Sequence, residues 1–219
     1  MKKLIITIVI LIIIVSVVVA AILATQPPPS ESAVTGVVAG NTFTYNLKAI
    51  SSINEDNVTL PPAITEYNNT ELFRVTITSV SGPTVSFNAT WRFTNGTEIN
   101  NSGYVNVLTG DDNKVFWAIY PANLTKNMLL NPQGTDGNVV NDTEVRTYKS
   151  GDRQTNIMTL QNQFPDSSNP TRVYEDYLYV HFDKITGMLV ELQDIQRYND
   201  PEAVLTYSWI LIDSNVWTV

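Results

Sequence analysis

Between Thr84 and Thr94 the chain alternates strictly: Val85, Phe87, Ala89, Trp91 and Phe93 share one parity, and Thr84, Ser86, Asn88, Thr90, Arg92 and Thr94 share the other. Side chains on a strand point to opposite faces in turn, so this pattern predicts a strand with one buried and one wet face. Phe73 to Val80 precedes it across Ser81-Gly82-Pro83, and Asn95-Gly96 follows it, a pair suited to a two-residue type I′ hairpin turn. Similar β-rich runs are predicted at Thr42 to Leu47, Tyr104 to Thr109, Lys114 to Tyr120, Val139 to Lys149, Arg153 to Leu160, Arg172 to Phe182, Met188 to Tyr198 and Ala203 to Ile212. Pro121 to Leu130 is the best helix candidate, with Leu124 and Met128 at i and i+4 and Asn131-Pro132 as a stop. Pro61 to Tyr67 reads equally as a turn of helix or an extended connector. The expectation is a mainly β fold: a curved antiparallel meander of about ten strands, half-barrel or barrel-like, with one or two short helices.

One stretch has neither period. Leu4 to Ala24 holds no charge and no proline, and as a helix rising ~1.5 Å per residue it is about 31 Å long, the thickness of a bilayer's hydrocarbon core. Lys2 and Lys3 flank it on one side, and no basic residue follows until Lys48. By the positive-inside rule the N-terminus stays in the cytoplasm and the C-terminal domain is extracytoplasmic. Val19-Ala20-Ala21 and Ile22-Leu23-Ala24 resemble signal-peptide cleavage sites, but the apolar region exceeds the usual ~7–15 residues. A retained signal anchor is therefore favoured, giving a transmembrane helix over residues 1–24. Residues 25–33, with Pro27-Pro28-Pro29, form a short stalk, and residues 34–219 a single domain at the cell membrane's outer side.

Composition narrows the ligand classes. Beyond Ala24 there are twenty-one acidic residues against eleven basic ones. Nucleic acid is thereby disfavoured, because its binding rests on Lys and Arg neutralising phosphates. There is no cysteine, so no disulfide framework, thiolate chemistry or lipoprotein anchor is available.

Seven Asn-x-Ser/Thr triplets make Asn57, Asn68, Asn88, Asn95, Asn100, Asn123 and Asn141 candidate glycosylation sites in an exported chain. His181 is the single histidine, and no serine, histidine and acid constellation forms around it, so no catalytic residue is assigned. The acidic pairs Asp111-Asp112, Asp136 with Asp142, and Glu175-Asp176 lack calcium-loop spacing and read as solvated turns. No metal and no cofactor is expected. Tyr174, Tyr177, Tyr179 and Phe182 in one run, with Tyr207 and Trp209 in the last, place large apolar surfaces on both parities of neighbouring segments, and Trp91, Trp117, Tyr177, Tyr179, Tyr207 and Trp209 are the candidate ligand-facing aromatics. They are either core or the lining of a cavity for an apolar, lipid-like ligand.

Gly36-Val37-Val38-Ala39-Gly40-Asn41-Thr42-Phe43-Thr44-Tyr45 resembles the G-V-x-x-G-x-x-F-x-Y opening of uncharacterised archaeal signal-anchored extracytoplasmic β-domain proteins. Asp183-Lys184-Ile185-Thr186-Gly187-Met188-Leu189-Val190-Glu191 resembles their D-K-x-T-G-x-L-V-E hairpin. The likeness implies an archaeal cell surface and no particular activity. The hairpin is more distantly similar to bacterial lipoprotein carriers of the LolA type, which implies a half-barrel that shelters lipid. Three readings follow: a membrane-anchored surface module with a binding or structural role toward a glycan or cell-surface protein; a lipid or hydrophobic-ligand binder; and a carbohydrate-active hydrolase using acidic residues. The first is favoured, and the chain is read as not an enzyme.

Overall fold

The structure, a computed structural model, describes residues 35–52, 61–166, 169–199 and 202–219. Leu4 to Ala24, the stalk and Asn57 lie outside the described residues, and no described helix is long and apolar enough to cross a membrane.

Nine strands form one antiparallel sheet: β1 Thr42–Ser51, β2 Thr70–Ser81, β3 Thr84–Phe93, β4 Glu98–Asn106, β5 Asp142–Tyr148, β6 Gly151–Asp166, β7 Asn169–Asp183, β8 Leu189–Asn199 and β9 Glu202–Ser214. Helix α1, Pro62–Asn68, links β1 to β2, with a proline at its start where the missing N–H costs nothing. The strand order is β4-β3-β2-β1-β9-β8-β7-β6-β5. Two meanders thus meet where the first strand pairs with the last, from Phe43↔Ser214 to Ser51↔Leu205. The sheet is open, with β4 and β5 as its edges, and it does not close into a barrel.

One face carries the core. Phe43, Tyr45, Leu47, Val75, Ile77, Val85, Phe87, Val180 and Phe182 are all buried on it. It is covered by residues 107–141, the connection from β4 to β5, which contributes Phe116, Ala118, Ile119, Tyr120, Leu124, Leu130 and Val140 to the same core. This strap has almost no regular structure. Its polar backbone is tied down residue by residue: Tyr120 N–H donates to Gly187 O (2.9 Å), Asn123 N–H to Lys184 O (2.7 Å) and Leu189 N–H to Ala118 O (3.3 Å). Buried backbone groups need such partners, and here strap and sheet supply them to each other.

Three expectations are corrected in this region. Lys114 to Tyr120 is not a strand, because Ile119 N–H closes onto Trp117 O (2.8 Å) and bends the chain where a strand would run straight. Pro121 to Leu130 is not a helix, because Asn123 and Asn127 take left-handed φ of 60° and 69°, which an α-helix cannot accommodate. The Asn95-Gly96 turn is also not type I′. Gly96 alone has positive φ (84°), and Phe93 N–H bonds Thr97 O (2.9 Å), the geometry of a longer hairpin loop closed by glycine. The strand count is accordingly nine rather than about ten.

The two stretches that carried the resemblance meet in space. Gly36 approaches the turn after β7 so closely that a Cβ there would lie 1.9 Å from Ile185 O. Tyr45 donates its hydroxyl hydrogen bond to Leu189 O (3.1 Å). The turn is braced internally: Asp183 Oδ1 accepts from Thr186 N (2.7 Å) and Thr186 Oγ1 (2.8 Å). Arg153 of β6 grips both oxygens of this buried carboxylate, Nε to Oδ2 at 2.8 Å and Nη2 to Oδ1 at 2.9 Å. Its guanidinium also lies 4.2 Å over the Trp217 ring. The residues of this motif are therefore explained by folding, with no ligand required.

Candidate functional site

Between strap and sheet a cleft of about 340 Å³ remains open. Tyr67 of α1 forms one wall, Lys114 to Ala118 of the strap the roof, and Leu178, Leu192, Tyr207 and Trp209 the floor. Asp176 of β7 and Asp194 of β8 complete the lining. A second cavity of about 420 Å³, with Met158, Leu160, Asn131 and Asp136 in its walls, lies beside it, and Lys114, Trp117 and Leu178 belong to both.

The aromatic wall is held rigidly. Asn68 clamps Ala49 from both sides, its Oδ1 accepting from Ala49 N (3.0 Å) and its Nδ2 donating to Ala49 O (2.9 Å). This fixes the end of α1 against β1 and so places Tyr67. Trp209 Nε1 donates to the Tyr67 hydroxyl (3.0 Å), and the Tyr67 ring packs edge-on against Tyr207 and Trp209 at 5.3 and 6.1 Å. Burial raises the Tyr67 pKa, so its hydroxyl stays neutral.

Asp176 and Asp194 share the inner face because of the register between β7 and β8. Asp176 pairs with Gln196 and Leu178 with Asp194, which makes the two aspartates diagonal neighbours. Asp194 is pushed up to about 7, first by burial and then by its hydrogen bond to, and the charge of, Asp176. A carboxyl in this position is harder to ionise than an ordinary aspartate. The Oδ1 atoms of both are buried without a hydrogen-bond partner. Gln196 Nε2 steadies Asp194 Oδ2 (3.2 Å), and Tyr198 in turn donates to Gln196 Oε1 (3.2 Å).

Of the sequence-derived aromatic candidates, Trp117, Tyr207 and Trp209 line the cleft. Trp91 stands behind it, stacked on Phe93 (5.0 Å) and bonded through Nε1 to Thr70 Oγ1 (2.7 Å). Tyr177 and Tyr179 have the opposite parity to Leu178 and Val180 and lie on the other face; Tyr177 donates to Glu175 Oε2 (2.7 Å) beneath the Arg197 guanidinium. His181 is on that outer face as well, its Nδ1 2.7 Å from Arg146 and 3.1 Å from Glu144. Glu144 is held below the usual carboxylate range by its hydrogen bond from Arg146.

Asn68, Asn88, Asn95, Asn100, Asn123 and Asn141 are exposed, and the Asn68 amide is in addition hydrogen-bonded to Ala49 as described. Two of these triplets lie back to back on β3 and β4: Ser102 Oγ donates to Asn88 Oδ1 (2.9 Å) and Thr90 Oγ1 to Asn100 Oδ1 (2.6 Å). Among the described residues no group of three or more His, Asp or Glu could hold a metal ion.

Sequence reasoning passed over the carboxyl pair. Glu175-Asp176 is not a solvated turn: it lies within β7, with Asp176 facing inward. The available signal was parity, since Asp176 is in phase with Leu178 and Val180, and Asp194 with Leu192 and Val190. Comparison of the chain with protein-family models, curated proteins and solved structures finds no match.

Proposed function

We propose that this is a membrane-anchored, single-pass, extracytoplasmic binding protein whose cleft between strap and sheet receives a small amphiphilic ligand. The observation that carries the reading is the aromatic-lined cleft of about 340 Å³, at the small end of the ~300–1,000 Å³ range of ligand pockets. It favours the hydrophobic-ligand reading over a purely structural surface role. A long irregular strap supports it further, since connections beyond ~12–15 residues without secondary structure in compact domains usually serve function. In this reading the sheet wraps half-barrel fashion toward the strap, each strand twisted ~20–25° from the last. Leu4 to Ala24 tethers the domain with Lys2 and Lys3 on the cytoplasmic side, and the exposed asparagines carry glycans.

Native mass spectrometry of the full chain released from nanodiscs tests the binding. A co-purified small molecule, lost when Trp209→Ala opens the wall, is the expected result; uniformly ligand-free protein that also fails to take up any amphiphile refutes it. Protease treatment of intact cells tests the orientation, which fails if the C-terminal domain survives uncut.

A further inference from the structure

We propose that the end of the ligand buried in this cleft is an organic cation, a substituted ammonium group seated on Asp176 and Asp194 against the wall formed by Tyr67, Tyr207 and Trp209. The inference rests on the reading of the cleft as a ligand site and specifies its chemistry.

The cleft has acid without base. Lys114 is the one basic residue in its lining, yet its side chain is 89% exposed and its ammonium turns to Asp112 Oδ2 at 4.0 Å. Arg197, the cation nearest along β8, lies over Tyr177 on the opposite face. Half-buried carboxyls with no internal counterion, their Oδ1 atoms lacking any donor outside the pair, are an unfavourable arrangement for stability alone. An entering cation would supply the missing charge.

The rings supply the second half of the recognition. Aromatic faces attract cations through their quadrupole, and ammonium groups are bound in other proteins by cages of Tyr and Trp. Here the Tyr67 ring packs edge-on against Tyr207 (70°) and Trp209 (76°), and all three rings line the cleft. An anionic ligand would meet the carboxyls and be repelled. A fully apolar one would leave them buried and unsatisfied.

Binding of a cation favours the ionised form of Asp194 and so displaces its proton. The groups facing the pair are Tyr67 from α1, Tyr207 from β9, Gln196 on β8 and Lys114 on the strap. Both tyrosines have raised pKa values and stay neutral, so Asp194 sets the acid limb of the pH dependence.

The test compares choline with 3,3-dimethyl-1-butanol, the same shape with carbon in place of the charged nitrogen, on the full chain in nanodiscs, read by tryptophan fluorescence and calorimetry. At pH 8 choline is expected to bind at least tenfold more tightly than the alcohol, and to weaken at least tenfold at pH 5. Asp194→Asn and Asp176→Asn should each remove the preference for choline over the alcohol. Equal binding of the two probes, both weakened by Trp209→Ala, overturns the cation inference and leaves the ligand site standing. Choline binding that survives both aspartate substitutions overturns it too. Failure of both probes, with no response to Trp209→Ala, sinks the cleft as a binding site altogether.

Discussion

Replacing Asp194 by asparagine keeps the shape of the side chain and removes its titration, and the consequence for stability can be worked out with its sign. In the folded protein Asp194 holds its proton up to about pH 7, against ~3.9 in an unfolded chain. Between these values the folded state binds more protons than the unfolded one, so the stabilisation is complete at about pH 4 and is lost as the pH rises through 7. Three units at 1.36 kcal/mol each set a ceiling of about 4 kcal/mol. Water at the half-buried mouth screens the pair and brings this to roughly 2 kcal/mol. The amide of the variant escapes the penalty, and its NH₂ supplies Asp176 with the donor it lacks. Asp194→Asn should therefore be more stable than the wild type by roughly 2 kcal/mol at pH 8, a rise in Tm of about 4–8 °C for a domain of this size. The gain should shrink to nothing by about pH 4.5. Urea melts of both proteins at pH 4.5, 6 and 8 measure it, and taking the difference cancels every other carboxylate, including Glu144, whose lowered pKa gives the opposite slope. A difference that is constant with pH, or one that favours the wild type at pH 8, refutes the paired-carboxyl account.

Arg153→Met leaves the buried Asp183 carboxylate without its fork and should cost about 3–5 kcal/mol in urea denaturation; a loss under 1 kcal/mol means the pair is not the brace of the turn. Gly187→Ala combines a left-handed φ of 73° with a Cβ 1.9 Å from Tyr120 O. It should free the strap, seen as new limited-proteolysis cuts within residues 107–141, whereas Gly82→Ala, with open space around it, should produce none. Glycopeptide mapping should find sugar on Asn88, Asn95 or Asn100 and none on Asn68, whose side chain is committed to Ala49; occupancy at Asn68 alone would contradict this. Tyr67→Phe removes the acceptor of the Trp209 indole and should cost about 1 kcal/mol and shift the tryptophan emission.

The parts of the fold that were legible in the sequence are those where local pattern and tertiary environment agree. In β3, Val85, Phe87 and Ala89 are buried and Asn88 is exposed, as alternation requires of a strand with one dry face. The strap was not legible because the two disagree. Val115 to Tyr120 is rich in aromatic and β-branched residues for the same reason that strands are, namely that all of it but Trp117 packs into the core. Its hydrogen-bond partners, however, are the turn after β7 and the start of β8 instead of a neighbouring strand along its length. Burial chooses the residue types, and the donors and acceptors within reach decide the backbone.

The same distinction explains why the cleft escaped notice. An inward-pointing aspartate in a strand is visible as a parity violation, and Asp176 and Asp194 each show one. Their meeting depends on the irregular register between His181/Phe182 and the following strand, where a bulge lets Leu189 and Val190 both be buried. A slip of one residue would send Asp194 to the outer face among Gln193 and Ile195. The bulge is in turn set by the braced turn from Asp183 to Gly187 and by the docking of Tyr120 on Gly187. Loosening that turn should therefore be felt at the carboxyl pair. A Gly187→Ala protein that still folds should lose part of the pH dependence that Asp194 confers, because the contribution of Asp176 is removed while that of burial, the larger one, stays.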